Sequence, residues 1–500
     1  MNTTVARPWA ALWALVVGFF MILVDTTIVS VANPSIMRGL GTDINAVIWV
    51  TSAYLLAYAA PLLVTGRLGD RYGPKPVYLV GLTVFTLASA ACGLSSSVEA
   101  LVGARVVQGL GAAMMTPQTM AVITRVFPPD GRGKAMGLWG AVAGVATLVG
   151  PLLGGVLVDG LGWEWIFFVN VPVGVVAFVL AWRLVPTLPT SARRIDGVGV
   201  ALSAVGMVLL VFGIQEGQTY DWGSIEGVVP VWAVIVSGAV VLTVFVVHQA
   251  RTRAEPLLPL GLFHDRNFSL ANGAITAVGF TVTSLSLPLV FYYQLVLGFS
   301  PTRSALMLVP MAVLSMVLAP VVGKLVDRVN PRDIAVTGLV LMATSLVWYS
   351  VWLVPDESQW WRLLLPSAVL GVANACTWSP VSSTATRNLP PAQAGAGSGV
   401  FNTTRQVGSV LGSAAVAALI QARLAAELGA GTSVDDAQGG GQLPAALHDG
   451  FAAAMSQALL LPAAVAVVGA VTVAFFARPD RTAHVVAVPA RKSDEAHHAR

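Results

Sequence analysis

Charge is what this sequence has least of. Asp, Glu, Lys and Arg make up 10% of its 500 residues, against about a quarter in soluble globular chains. No stretch carries enough charge for a soluble domain's surface. Cysteine is nearly missing as well: Cys92 and Cys376 are the only two. Both fall in apolar runs, where they read as inert thiols and build neither a disulfide framework nor a metal-ligand set. The chain has no Gly-x4-Gly-Lys-Ser/Thr phosphate loop, which argues against an ATP-driven pump. It has no nucleophile elbow and no His/Glu cluster spaced for a metal. The sequence therefore calls for no cofactor, no metal and no enzymatic chemistry.

What it does have is apolar length. Hydrophobic side chains reach 56%, the mean hydropathy is +0.77, and the 49 Gly and 29 Pro lie within apolar runs, as membrane helices tolerate. Segments of bilayer-spanning length run at about 10–32, 47–69, 76–96, 98–120, 134–158, 165–185, 197–216, 228–248, 269–297, 303–325, 333–354, 361–385, 398–420 and 452–476. The fold class expected is an all-α polytopic membrane protein of fourteen transmembrane helices. The first segment, with Asp25 inside it, is too long for a signal-peptide core and reads as an uncleaved span. Trp49, Trp163, Trp165, Trp222, Trp360 and Trp361 fall near segment ends, where an aromatic belt would place them.

A net charge of +4 invites a nucleic-acid reading, but the placement of the charges refutes it. Of 28 Lys and Arg, only Arg38, Arg303, Arg362 and Arg423 fall in the loops of one side, and Arg105 and Arg405 fall within segments. All the rest share the side of both termini. That asymmetry is the positive-inside pattern, so both termini are expected in the cytoplasm of a multi-pass plasma (inner) membrane protein. The polar tail from about 481 to 500 is expected to be solvated.

Transporters are built from repeats, and one is visible here. Gly66, Leu68, Asp70, Arg71, Pro74 and Lys75, between the second and third segments, align without a gap on Gly323, Leu325, Asp327, Arg328, Pro331 and Arg332. The second segment thus corresponds to the tenth, six segments map onto six, and the seventh and eighth are an insertion. The domains expected are 1–190, a six-helix bundle; 191–255, two inserted helices; 256–480, a second six-helix bundle; and 481–500, a cytoplasmic tail. Glycine permits a tight turn between packed helices, and Asp can pair with Arg. Gly66, Asp70, Arg71, Gly73, Lys75, Asp327 and Arg328 are therefore candidates for a conformational latch.

These residues carry a resemblance. The Gly66–Lys75 loop resembles the signature loop of the major facilitator superfamily, and Arg105, Gln108 and Gly109 resemble its fourth-helix arginine motif. Gly140, Gly144, Gly150, Pro151, Gly154 and Gly155 are similar to its antiporter motif. Asp25, Thr26 and Thr27 ahead of Asn33 and Pro34, and Trp163 to Pro172, resemble its 14-helix drug:proton antiporters. Pro74 replaces an arginine usual in the signature loop, and Asn33 adds an amide near the outer end of the first segment. The resemblance implies a 6+2+6 arrangement and a substrate cavity lined by the first, fourth, ninth and twelfth segments. The candidate contacts are Asp25, Asn33, Tyr54, Tyr58, Gln294, Asn374 and Trp378. Aromatics with a few polar groups suit flat lipophilic solutes.

A single carboxylate falls at bilayer depth, Asp25. A charge there costs at least about 2.5–3.5 kcal/mol, so an ionisable group is a functional hypothesis by default. Counted at 1.5 Å per residue, Asp25 lies about 22 Å along its segment from the inner end and Arg105 about 10 Å from the outer end of its own. Both reach one level, and the two are expected to be electrostatically coupled as the proton-handling pair. Gly408 and Gly412 in the thirteenth segment, near Arg405, match the glycines of the fifth, and both segments are expected at the interface between halves. The function expected is proton-coupled export of lipophilic drugs or antibiotics across a bacterial membrane by alternating access. Its partners would be a small lipophilic molecule, protons and the bilayer. The alternatives are a same-fold exporter of one endogenous metabolite or lipid, and a non-transporting membrane sensor.

Overall fold

Long apolar runs can satisfy their backbone inside a bilayer only as helices or closed barrels, and here they form helices. The computed structural model describes residues 8–127, 129–190, 196–217, 219–225, 227–252, 256–326, 328–389, 394–428 and 443–477. The first six segments give α1 (Pro8–Leu40), α2 (Ile44–Ala59), α3 (Leu62–Tyr72), α4 (Pro74–Gly93), α5 (Val98–Val126), α6 (Pro129–Leu161), α7 (Trp165–Phe168) and α8 (Asn170–Leu184). The seventh and eighth segments give α9 (Gly197–Gln215) and α10 (Val231–Arg251), joined by a loop with a two-stranded ribbon, β1 (Ser224–Ile225) and β2 (Val229–Pro230). The remaining helices are α11 (Arg266–Ser284), α12 (Ser286–Phe291), α13 (Pro301–Leu306), α14 (Val309–Val326), α15 (Pro331–Trp352), α16 (Leu364–Thr386), α17 (Ala394–Leu428), α18 (His448–Ala458) and α19 (Leu460–Ala474).

Every expected segment falls on a helix, but some helices are broken. The 47–69 segment bends by 49° between α2 and α3, where Pro61 lacks the N–H that would continue the helix. The 269–297 segment breaks after Ser284 and ends in a π-helical turn, Tyr292–Val296. Among the described residues, twelve helices are long and apolar enough to cross a membrane, or thirteen if the bent pair counts as one span. The expected 134–158 segment lies in α6, whose described apolar stretch is Val149–Leu161. This is a multi-pass membrane protein.

The signature loop needs a correction. Gly66 is not in a turn: the helix runs on to Tyr72, and a Cβ at Gly66 would meet only Pro117, at an ordinary 3.7 Å. The close approach is at Gly69, where a Cβ would collide with the Gln118 side chain. The turn is made by Gly73 alone, at φ +92, a conformation open to glycine.

Helices α1–α8 pack into one bundle and α11–α19 into another, while α9 and α10 pair with each other. The bundles meet along two seams. On one, α6 lies against α13 and α14; on the other, α17 lies against α2, with α9 also packed on α17. The first seam is tight at the end that carries Gly155. Its Cβ position would be 2.6 Å from the Thr302 Cα, and Asp159 Oδ2 accepts from the Thr302 N–H at 3.0 Å.

Candidate functional site

Asp25 sits in the middle of α1 with 0% exposure, and two helices, α5 and α8, supply its hydrogen-bond donors. Arg105 Nη1 of α5 donates to Asp25 Oδ2 at 2.6 Å, with both side chains sealed from solvent. Gln108 Nε2, one turn further on α5, donates to Oδ1 at 2.8 Å. Asn170 Nδ2, at the start of α8, donates to the same Oδ1 at 2.9 Å. The Arg105 side chain is held in turn: Nε donates to the Val50 carbonyl at 3.1 Å and Nη1 to Gln108 Oε1 at 2.7 Å. Its guanidinium carbon lies 3.9 Å from the Tyr54 ring centroid. Ser89 Oγ accepts a further bond from Asn170 at 3.0 Å and donates to the Phe167 carbonyl at 2.9 Å.

A buried ion pair of this kind is neutral as a unit and costly to break one partner at a time. Charge-assisted bonds from a planar guanidinium are short and directional. Protonating Asp25 would give up the ion pair, so the site links a proton to the position of Arg105 on α5. Arg105 Nη2 and the Tyr54 hydroxyl are buried without a hydrogen-bond partner.

The candidate substrate residues make separate contacts in the structure. Tyr54 belongs to the Asp25 cluster, and Tyr58, one turn on, bonds Thr116 of α5 hydroxyl to hydroxyl at 2.8 Å. Gln294, in the π-helical turn, reaches across to α1 and donates to the Val31 carbonyl at 2.8 Å. Asn33 is fully buried with both amide atoms unpaired, and Asn374 keeps an unpaired carbonyl oxygen. Trp378, 37% exposed, lies one turn beyond Asn374 on α16, with Arg405 of α17 above its ring at 6.0 Å.

Most of the described glycines of α6 and α17 meet neighbours within their own bundle. α6 and α17 do not form the interface by packing on each other. A Cβ on Gly150 or Gly154 would strike Thr27 or Ile28 of α1, within the same bundle. Gly408 and Gly412 press on the Thr276 and Phe280 carbonyls of α11, again within one bundle. Pro151 lies inside α6, and among the described glycines of this motif only Gly155 faces across a seam. Gly144 lies in α6 as well. Small residues let backbones approach wherever a neighbour is close; the pattern marks closeness, not which neighbour.

In the signature loop Asp70 pairs with Arg125 of α5, not with the adjacent Arg71, whose guanidinium lies 5.4 Å from the Tyr72 ring. Lys75 Nζ caps the Trp182 carbonyl at 2.6 Å. Of the second copy, Arg328 follows α14, while Asp327 lies outside the described residues.

Sequence reasoning gave no role to Gln108, Asn170 or Ser89. Gln108 was detectable by its spacing from Arg105, which puts both on one helix face. Asn170 carried only the signal of an amide in an apolar run. Glu216, at the end of α9, also went unassigned. It accepts from Trp49 Nε1 of α2, and Asn45 Nδ2 beside it donates to Thr219 Oγ1 at 2.9 Å.

Two helical bundles facing across seams, with an ion pair buried in one of them, are the architecture of a secondary transporter. The Major Facilitator Superfamily model matches residues 15–413. The chain belongs to the Major Facilitator Superfamily. It is 52% identical over 474 residues to an uncharacterized MFS-type transporter of Mycobacterium tuberculosis, covering 94% of this chain and 81% of that one. It is 34% identical over 516 residues to the tetracenomycin C resistance and export protein of Streptomyces glaucescens, covering 95% of this chain and 93% of that one. A bacterial homolog of the human lysosomal transporter Spinster, solved inward-facing and unoccupied, shares the fold. Its TM-score is 0.62 at 17% identity, covering 94% of this chain and 96% of that one.

Proposed function

We propose that this protein is a proton-driven antiporter that exports lipophilic small molecules, antibiotics or drugs, across a bacterial plasma membrane. The observation that carries the reading is the sealed Asp25–Arg105 pair on helices that border the seams between bundles. A carboxylate at bilayer depth is the natural proton carrier of such a machine, and the tetracenomycin C export relative supports outward transport. The termini and the Asp70 end face the cytoplasm, in line with the clustering of Lys and Arg in those loops. With the Gly155–Thr302 contact made, the external end is shut.

In the cycle, a proton arriving at Asp25 frees Arg105, α5 shifts against α1, and the bundles rock about the substrate between them. Release of the proton to the cytoplasm restores the pair. Asp70 with Arg125, and Lys75 on the end of α8, brace the cytoplasmic end as a latch. Arg71, Gly73 and Arg328 complete the loops that carry it. The protein acts as a carrier and performs no bond chemistry.

The test is transport in proteoliposomes under an imposed pH gradient, using ethidium, anthraquinone-2-carboxamide and anthraquinone-2-carboxylate as cationic, neutral and anionic probes. Gradient-driven movement of at least one probe, lost in Asp25→Asn, is the expected result. Movement of none of them by the wild-type protein overturns the proposal.

A further inference from the structure

Arg405 has no part in the cycle above, yet it is a charge at membrane depth. It lies about 16 Å along α17 from Ala394 at 1.5 Å per residue. Its side chain is partly exposed, and among the described residues it makes neither a hydrogen bond nor an ion pair. Its guanidinium carbon is 6.0 Å from the Trp378 ring centroid on α16, and it is within electrostatic reach of Tyr58 on α2. Since α2 belongs to one bundle and α16 to the other, Arg405 stands at the seam between them.

Among the described residues, no carboxylate serves as its counter-ion. α2, α11 and α16, all around it, contain no Asp or Glu. α5 has only Glu99, at its far end. In α17 itself the one carboxylate is Glu427, about 33 Å further along at the same rise. Asp25 is held by Arg105 and Asp70 by Arg125. An intramembrane arginine normally faces a partner or a water-filled path; this one, at the seam, has no charged partner among the described residues.

Resting on the export reading, we infer that Arg405 is the recognition point for an acidic group on the transported solute. The substrates are aromatic organic anions, carboxylates or ionised phenols, with the apolar body against Trp378 and the charge on the guanidinium. Arg is suited to this because its planar fork matches a carboxylate with two parallel bonds. The unpaired Asn374 carbonyl, one turn away on α16, offers an acceptor for a hydroxyl or amide on the same body. A lipophilic cation would be repelled at the same point, which is selection by an unfavourable contact. Outward movement of an anion and inward movement of a proton also carry charge in one electrical direction, so the membrane potential assists both.

The experiment is equilibrium binding to purified full-length protein of anthraquinone-2-carboxylate and anthraquinone-2-carboxamide, planar bodies of nearly one shape that differ in charge. The carboxylate is expected to bind at least ten-fold more tightly than the amide. Arg405→Gln should weaken the carboxylate at least ten-fold and the amide less than two-fold, and Arg405→Lys should keep part of the preference. Equal binding of the two by the wild-type protein overturns the inference. So does an Arg405→Gln protein, monodisperse by gel filtration, that loses both probes equally. Gradient-driven transport without charge preference removes the role of Arg405 alone. A charge preference in binding with no gradient-driven transport keeps Arg405 as the anion contact and overturns the export reading instead.

Discussion

Ser52 of α2 and Ser413 of α17 meet hydroxyl to hydroxyl at 2.8 Å, both fully buried, and so tie one bundle to the other. If the bundles rock, this bond must open and close. With Cys92 and Cys376 first replaced by Ala, a Ser52→Cys/Ser413→Cys protein should form a disulfide under mild oxidation. Transport should then fall at least ten-fold and return with reductant. A cross-linked protein that transports at the uncross-linked rate would show that this seam does not part.

The Asp25–Arg105 pair sets up a double-mutant cycle. Removing one partner strands a buried charge, which costs about 3–5 kcal/mol in comparable sites. Arg105→Gln alone should therefore lower the unfolding temperature more than Asp25→Asn combined with Arg105→Gln. Both proteins should lose proton coupling. Additive losses in stability would mean that the two side chains are not coupled.

Gly155 tests closure of the seam between α6 and α13. Its Cβ position lies 2.6 Å from the Thr302 Cα, so Gly155→Val must hold α6 off α13 by moving backbone rather than a side-chain tip. Transport should fall at least ten-fold while the protein stays monodisperse. Gly103→Ala, where nothing lies within 4 Å of the added atom, should leave transport unchanged.

Acid should loosen the α9–α10 hairpin at the end where Asp196 meets His248 and Gln249. Burial raises the Asp196 pKa, but bonds from Gly199 N–H, His248 and Gln249 outweigh it and leave the pKa below the ordinary carboxylate value. A depressed folded-state pKa stabilises the folded form above the unfolded value, and the gain is lost as pH falls through the folded one. Hydrogen-exchange protection across α9 and α10, corrected for the intrinsic pH dependence of exchange, should accordingly hold at neutral pH and drop below about pH 4. In Asp196→Asn the exchange should already be faster at pH 7 and lack the acid step.

Much of this was legible in the sequence because a bilayer allows few solutions. Apolar length located the helices, and counting residues along the first and fourth segments put Asp25 and Arg105 at one level, where the structure joins them. Residue counting gives depth but not azimuth. Asn170 reaches Asp25 from a helix 145 residues away, and nothing in the local pattern says that α8 turns that face inward. Asp70 was read beside Arg71, its chain neighbour, but helical geometry points adjacent residues apart and brings Arg125 to it instead. Likewise Gly408 and Gly412 announce close packing without naming α11 as the helix they approach.

A protein built from two repeated halves would offer the surrounding lipid two equivalent flanks. Here Met207 and Val211 of α9 pack into one cluster with Tyr54, Val410 and Ala414, and Glu216 fastens the end of that helix to Trp49. α9 thus lines the α2–α17 seam, so that the two seams between the bundles present different surfaces to the surrounding lipid.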